Sequence, residues 1–309
     1  MAAFTTVMST TSTLDDSIVL LFEQSFMIAN AADNVFDQLV THAIDIGAKS
    51  IQITRYDRLA AATTPLVETD DIVSAAITDT AITLTPVEYG NAVTKTKLAS
   101  LQTGGKLDLA APQLVGMNSA LTQEMLAIAA LNASSNAYII GGTAAGSVAG
   151  TQVASRAYMN YFYNKLARLS IPRINGDYIA VLHDDVINDL RSDTAVGSWI
   201  DVNKYSNATE VFQNEVGTFA GFRILRGNNA TYGDQTGAGT VDLYNSYFLG
   251  FNGLGKATSL PVHPTITGPF DKLGRFVNIG WHGVFQYKII DTDAVWVGQS
   301  ASSVGVNAA

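Results

Sequence analysis

The sequence predicts an α+β fold built around a projecting β-hairpin, and three observations predict it. From Ser50 the hydrophobic period changes to two, with Ile51 and Ile53 on one side and Gln52 and Thr54 on the other, which is the mark of a strand. Leu114, Met117, Leu121, Met125 and Ile128 recur at steps of three and four, the pattern of one long helix. Between Ala154 and Leu190 a helical pattern, the apolar run YIAVL (Tyr178 to Leu182) and a second helical pattern succeed one another, as in the core of an α/β layer.

In chain order, residues 1–15 are rich in Thr, Ser and Ala without a hydrophobic period, so an extended or disordered arm is expected there. Asp33 is placed to cap a helix whose apolar face would run Val35, Phe36, Leu39, Val40, Ala43 and Ile44, with Gly47 as its left-handed end. The strand from Ser50 leads into RYDRLAAATTPLVETDDIVSAAIT, whose alanines and threonines around Pro65 offer little for a core, and then into a β-rich run from Ala81 to Lys97. Such an arm needs a neighbour to lie on, because a lone two-stranded hairpin is barely stable in water. Pro112 suits the first turn of the long helix, since its missing N–H would be unpaired there, and the polar Gln113, Asn118 and Glu124 are assigned to the opposite face. Asp184 can cap the helix carrying Val186, Ile187 and Leu190, and GDQTGAGT (Gly233 to Thr240) reads as a surface loop. Two strands, Phe276 to Ile290 and Ala294 to Gly298, are expected to flank a turn at Asp291, Thr292 and Asp293, before a loose tail.

Composition narrows the class. At 309 residues the chain has length for about two domains. It has 47% apolar residues and a mean hydropathy of +0.17, yet only 15% charged residues, against about 25% in ordinary soluble domains. Its 18 basic and 27 acidic side chains would leave about one charge per 280 Å² on a compact monomer of roughly 12,500 Å². So thinly charged a surface predicts extensive protein–protein contact. The absence of cysteine excludes disulfides, a thiolate nucleophile and cysteine-based zinc or iron–sulfur sites. A net charge of −9 argues against a dedicated nucleic-acid binder, whose affinity rests on clustered Lys and Arg. The most continuous apolar run, Ile18 to Ile28, is too short to span a bilayer, carries Glu23 and Gln24, and comes after Asp15 and Asp16 where a signal peptide needs basic residues.

Patterns that could carry chemistry read more simply as structure. The glycine-rich GGTAAGSVAG (Gly141 to Gly150) lacks the Gly-Lys-Ser/Thr ending of a phosphate loop and any basic residue. His42, His183, His263 and His282 show no metal-ligand spacing. His183, Asp184 and Asp185 could form an acid–base or metal group, but negative charge at a helix start is the simpler reading. Asp291 and Asp293 read as a turn, and Tyr158, Tyr161, Phe162 and Tyr163 as packing residues on a helix with too few basic neighbours for base stacking. No catalytic, cofactor or metal residues are assigned, and an assembly subunit is expected before an enzyme.

The order of parts resembles the major capsid proteins of tailed bacteriophages, the Hong Kong 97-like fold family, from about Ile18 to Gly298. YIAVLHDDVINDLRSD (Tyr178 to Asp193) is similar to that family's strand-then-helix in the axial domain, with Asp184 in place of a usual proline. GRFVNIGWHGVFQYKIIDTDAVWVG (Gly274 to Gly298) resembles its returning peripheral strands, and IQITRYDRLAAATTPLVETDDI with VEYG (Val87 to Gly90) its extended loop. The resemblance implies an N-terminal arm over 1–32, a peripheral-domain helix over 33–49, the extended loop over 50–100, and a peripheral domain with its spine helix over 101–150. It further implies an axial domain over 151–265 and returning strands with a tail over 266–309.

In function, the resemblance implies a shell of hexamers and pentamers around double-stranded DNA in a virion, made in the host cytoplasm without a membrane. An encapsulin-like nanocompartment, and more remotely a soluble α/β enzyme, are the alternatives. The loop is expected to lie across an adjacent subunit, burying Leu59, Leu66, Val67, Ile72 and Val73, while Arg55, Arg58, Glu68, Asp70 and Asp71 form rim pairs that set register. The family prototype's loop carries a lysine that makes an isopeptide bond to a neighbour's asparagine. Here residues 59–84 hold no lysine, and Lys49, Lys95 and Lys97 lie near the base, so no covalent cross-link is expected. No long scaffolding region precedes the first expected element, so a separate scaffolding protein is expected, alongside a portal and a possible decoration protein.

Overall fold

The computed structural model describes residues 26, 35–40, 42–45, 47, 49–57, 59–66, 68–69, 71–72, 74–103, 106–142, 144–193, 215–229, 232–233, 237–238, 241–269 and 271–304. Phe26 is fully buried, and a 3₁₀ turn at Phe36–Leu39 buries Phe36 and Leu39 beside it in one apolar cluster. The expected helix does not continue. His42–Asp45 forms strand β1, paired in parallel with Gly255–Thr258. A sheet partner four residues long overrides the local helical period, as tertiary pairing commonly does. Asp33, its expected cap, lies outside the described residues.

Strands β2 (Ile51–Tyr56) and β3 (Asp79–Leu84) form a separate two-stranded sheet with register from Ile51↔Leu84 to Tyr56↔Asp79. The β-rich run expected over 81–97 is therefore two strands. It breaks at Thr85-Pro86, where proline cannot donate to a ladder, and β4 (Val87–Thr96) then joins another sheet. VEYG thus lies in the body and not in the hairpin. Helix α1 (Lys97–Gln102), which the hydrophobic pattern does not reveal, is capped by Thr96, whose Oγ1 accepts the N–H of Ala99 at 3.1 Å. Helix α2 (Lys106–Asn132) starts six residues before Pro112, which sits inside it. The proline costs the helix one bond, to the carbonyl of Asp108, which α2 tolerates over 27 residues.

Beyond α2 come β5 (Ala137–Ile139), a 3₁₀ turn at Ala145–Ser147 in the glycine-rich segment, α3 (Arg156–Arg168), β6 (Tyr178–Leu182) and α4 (Asp184–Ser192). The remaining strands are β7 (Glu215–Phe219), β8 (Phe222–Arg226), β9 (Tyr232–Gly233), β10 (Leu243–Leu249), β11 (Leu254–Thr267), β12 (Phe276–Ile289) and β13 (Val295–Ser300). Part of the GDQTGAGT loop lies outside the described residues. One sheet runs β1-β11-β12-β4, and a seven-stranded sheet runs β5-β13-β10-β6-β8-β7, with β9 on β10.

Sheet membership redraws the expected domain boundaries. β11, expected within the axial segment 151–265, pairs with β12 over almost its whole length. β13, expected among the peripheral strands, pairs with β10 and β5 in the seven-stranded sheet. The two 14-residue strands satisfy each other's backbone groups in one ladder, and a boundary at residue 265 would divide that ladder between two domains.

All five residues of β6 are buried, because the seven-stranded sheet is covered on both faces. One cluster joins α2, through Ala127, Ile128 and Leu131, to Tyr247, Val297, Trp281 and Phe285. The other lies under α3 and α4, where Phe162 stacks on Phe248 with ring centroids 3.9 Å apart. Helix α2 is long and apolar enough to cross a membrane by length and composition, although Ser119, Thr122, Gln123 and Glu124 interrupt any continuous apolar run. Its inner face is packed on β12 and β4, as in a core helix.

Candidate functional site

The hairpin is apolar on one side only. Ile51, Ile53 and Ile82 pack with fully buried Leu84 against Ala257 and Ile290, while Gln52, Thr54 and Tyr56 face solvent. Its base is tied to the body at three points. The Arg55 guanidinium donates to the Asp291 carboxylate, Lys288 Nζ donates to the Thr83 carbonyl at 2.8 Å, and the Thr85 N–H donates to Gln286 Oε1 at 2.6 Å. The Asp57 N–H bonds the Thr78 carbonyl at 3.1 Å, which closes the ladder.

Past Asp57 the described residues form no further strand until Asp79, and they carry the apolar side chains the sequence singles out. Leu66 is 75% exposed and Ile72 65%, with Leu59 and Ile77 similarly bare. Residues this apolar are rarely left so open in a stable monomer, and contiguous apolar exposure marks a contact surface. Glu68 and Asp71 are exposed beside them, without an ion-pair partner among the described residues. Arg58, Val67, Asp70 and Val73 lie outside the described residues. Arg55 departs from its expected role as a rim residue. It is held by its own chain's Asp291 and, at 3.5 Å, by Asp57, so its position in the hairpin base fixes what it meets.

A second exposed surface inverts an expectation. The stripe Leu114, Met117, Leu121 and Met125, expected to face the core, points outward, with Leu114 62% exposed. Ala111, Val115, Ser119, Ala120, Gln123, Glu124, Ala127 and Ile128 face inward instead. Glu124 is held at Oε2 by Asn229 Nδ2 at 2.6 Å. Asn118 turns toward the sheet, where its Oδ1 accepts from Trp281 Nε1 at 2.9 Å. The inner face of α2 mixes alanines with Val115, Ile128 and Leu131, which pack in one cluster with Trp281, Phe285 and Tyr287 of β12.

The remaining candidates are structural. His183, and not Asp184, caps α4: its Nδ1 accepts the Asp185 N–H at 3.2 Å. Asp184 pairs with Arg226 at 2.6 Å, and Asp185 accepts the Tyr244 hydroxyl at 2.7 Å. Asp291 accepts the Asp293 N–H at 3.1 Å, forming the turn the sequence predicts. His263 and His282 face each other across β11 and β12, and His282 Nε2 meets Glu88 Oε1 at 2.7 Å. Among the described residues no group of three or more His, Cys, Asp or Glu could hold a metal.

No protein-family model matches the sequence, and no curated protein matches it. Solved structures do. The capsid of Ralstonia phage GP4 is 13% identical, with 85% of this chain and 86% of that one covered and a TM-score of 0.68. The head of Helicobacter pylori bacteriophage KHP40 is 10% identical over 88% and 91%, with a TM-score of 0.61. A virus-like particle from Pyrococcus furiosus is 11% identical over 89% and 96%, with a TM-score of 0.54. The likeness at these identities is one of fold. The chain has the Hong Kong 97-like fold of tailed-phage capsid proteins, as its sequence resemblance implies.

Proposed function

We propose that this chain is the major capsid protein of a tailed phage, closing by self-association into an icosahedral shell of hexamers and pentamers. The observation that carries the reading is the bare hairpin tip, where Leu66 and Ile72 are left largely exposed. Leu59 and Ile77 are bare beside them, on a chain of which only 15% is charged. Covering that apolar surface with further copies of the chain removes it from water. Rings of subunits need head-to-tail contacts between different surfaces, because such contacts close by rotation.

On this reading the tip lies across the adjacent subunit, the seven-stranded layer forms the axial part, and α2 with the four-stranded sheet forms the peripheral part. The acidic chain would enclose double-stranded DNA without gripping it, because few cations are offered to the phosphates. A separate scaffolding protein, a portal and a decoration protein are the expected partners, and the virion is the expected location. An encapsulin-like compartment is the second reading, and the likeness to phage capsids and a phage head favours the first.

Negative-stain microscopy of the purified protein distinguishes large shells, small compartments and simple oligomers. Changing Leu66→Asp together with Val67→Asp is expected to abolish particles while leaving folded subunits by circular dichroism. Wild-type particle yield from that double variant would refute the role given to the tip.

A further inference from the structure

Three neighbouring strands of the four-stranded sheet bring two histidines and a carboxylate together. Trp281 reaches toward α2, so His282, next to it on β12, points to the opposite face. His263 on β11 is the register partner of His282, and Glu88 on β4 is the register partner of Val284, two residues along on the same face. Both histidines are half-buried, and their ring centroids lie 5.5 Å apart with the planes at 79°.

Hydrogen bonds fix which nitrogen of each ring is free. His263 Nδ1 lies 3.0 Å from the Pro261 carbonyl oxygen, and His282 Nε2 lies 2.7 Å from Glu88 Oε1. Carbonyl and carboxylate oxygens only accept, so each of these nitrogens carries the proton of its neutral ring. The lone pairs then sit on His263 Nε2 and His282 Nδ1. The two nitrogens of an imidazole point in nearly opposite directions, and β12 lies between β4 and β11. With Nε2 turned to Glu88 on β4, His282 therefore turns Nδ1 to the side where His263 stands. One N–H held by a carbonyl or carboxylate and the other nitrogen left free is how metal-ligating histidines are oriented.

The spacing agrees with that reading. Two imidazoles on one tetrahedral ion, at metal–nitrogen distances of about 2.0–2.1 Å, hold their centroids about 5 Å apart. A hollow of about 410 Å³ borders His282, lined in part by Gly90, Ala92, Thr265 and Gly280, and gives water access to the ion's remaining positions.

We infer that His263 and His282 chelate one divalent transition-metal ion across the β11–β12 ladder, with Glu88 as the positioning residue behind His282 and water as the other ligands. Imidazole nitrogens suit Zn²⁺, Ni²⁺ and Cu²⁺, whereas Mg²⁺ and Ca²⁺ take oxygen ligands. The ion pins the two strands just past the irregular register between Leu260 and His263. The site belongs to the single subunit and stands apart from the shell reading.

Calorimetric titration of unassembled full-length subunits with ZnCl₂ or NiCl₂ is expected to show one ion per chain, and MgCl₂ none. His263→Ala and His282→Ala should each weaken binding more than about tenfold, and Glu88→Ala about tenfold. His42→Gln and His183→Asn should leave it unchanged. Free Zn²⁺ at about 100 times Kd should raise the wild-type Tm by about 5 °C and leave that of the histidine variants where it was. The electron paramagnetic resonance spectrum of Cu²⁺ on the wild-type chain should show coupling to two imidazole nitrogens, and to one in either histidine variant. Glu88→Ala should bind more weakly yet keep both couplings, the split that separates a positioning residue from a ligand. Coupling to fewer than two nitrogens in the wild type, which needs no variant to fold, overturns the site, as does binding that survives loss of either histidine undiminished. Unchanged affinity in Glu88→Ala overturns the role given to Glu88.

Discussion

Asp108 stands where α1, α2 and β4 meet, and its protonation state is linked to the stability of that junction. Burial raises its carboxyl, but hydrogen bonds from Lys95 and Ser100, together with the Lys95 charge, outweigh burial and hold it below its ordinary value. A depressed carboxylate contributes stability that is present above its unfolded value, near 3.9, and is lost as pH falls through the folded one. Because the pair is partly exposed, its worth at neutral pH is about 0.2–1 kcal/mol. Asp108→Asn is therefore expected to destabilise unassembled subunits by that amount at pH 6, with the gap to wild type closing as pH approaches 3. Urea denaturation at both pH values measures it, and a gap that stays constant would contradict the assignment. None of this is readable from the sequence, where Lys95 and Asp108 are 13 positions apart on elements whose boundary, Thr96, gives only a capping signal.

At the scale of elements, helix α2 shows both what the pattern reveals and what it hides. Periodicity locates a long helix and its end near Asn132 and places Ile128 inside and Gln113 outside, but it turns Leu114, Met117, Leu121 and Met125 inward and Asn118 and Glu124 outward, since large apolar residues are ordinarily the buried ones. Two other layers decide the matter. Trp281, Phe285 and Tyr287 pack with Ala127, Ile128 and Leu131 below α2, while Leu121 lies on the outer side at 43% exposure. Unassembled Leu121→Ala subunits should stay within about 0.5 kcal/mol of wild type. Ile128→Ala, on the inner face, should lose about 2–5 kcal/mol. Denaturant midpoints at constant slope test the pair, and similar losses for both would put Leu121 back in the core.

The hairpin is more legible, because period-two alternation and Pro86 are local signals. Its anchor is not: Arg55 and Asp291 are 236 positions apart, and only the fold brings them together.

For the whole molecule, the question is what holds the proposed shell together once copies have closed. A covalent lattice of the kind the family prototype makes needs an amine on the extended loop, placed against a neighbour's side-chain amide. This chain's loop from Leu59 to Leu84 offers acids, alcohols and hydrocarbon but no lysine. Of the lysines near its base, Lys95 is paired with Asp108, Lys97 lies where β4 passes into α1, and Lys49 precedes β2 outside the loop. Cohesion must then come from apolar burial, which denaturants weaken directly, and from charge contacts, which salt screens. Mature particles boiled in detergent are accordingly expected to run as one band near 32.8 kDa. A ladder of multimers would mean that a lysine outside the loop performs the cross-link, and mass mapping of the ladder would identify it. With a single band, urea should release subunits reversibly, and high salt should slow reassembly more than it weakens finished particles, since the charges act mainly on approach and the hydrocarbon on retention.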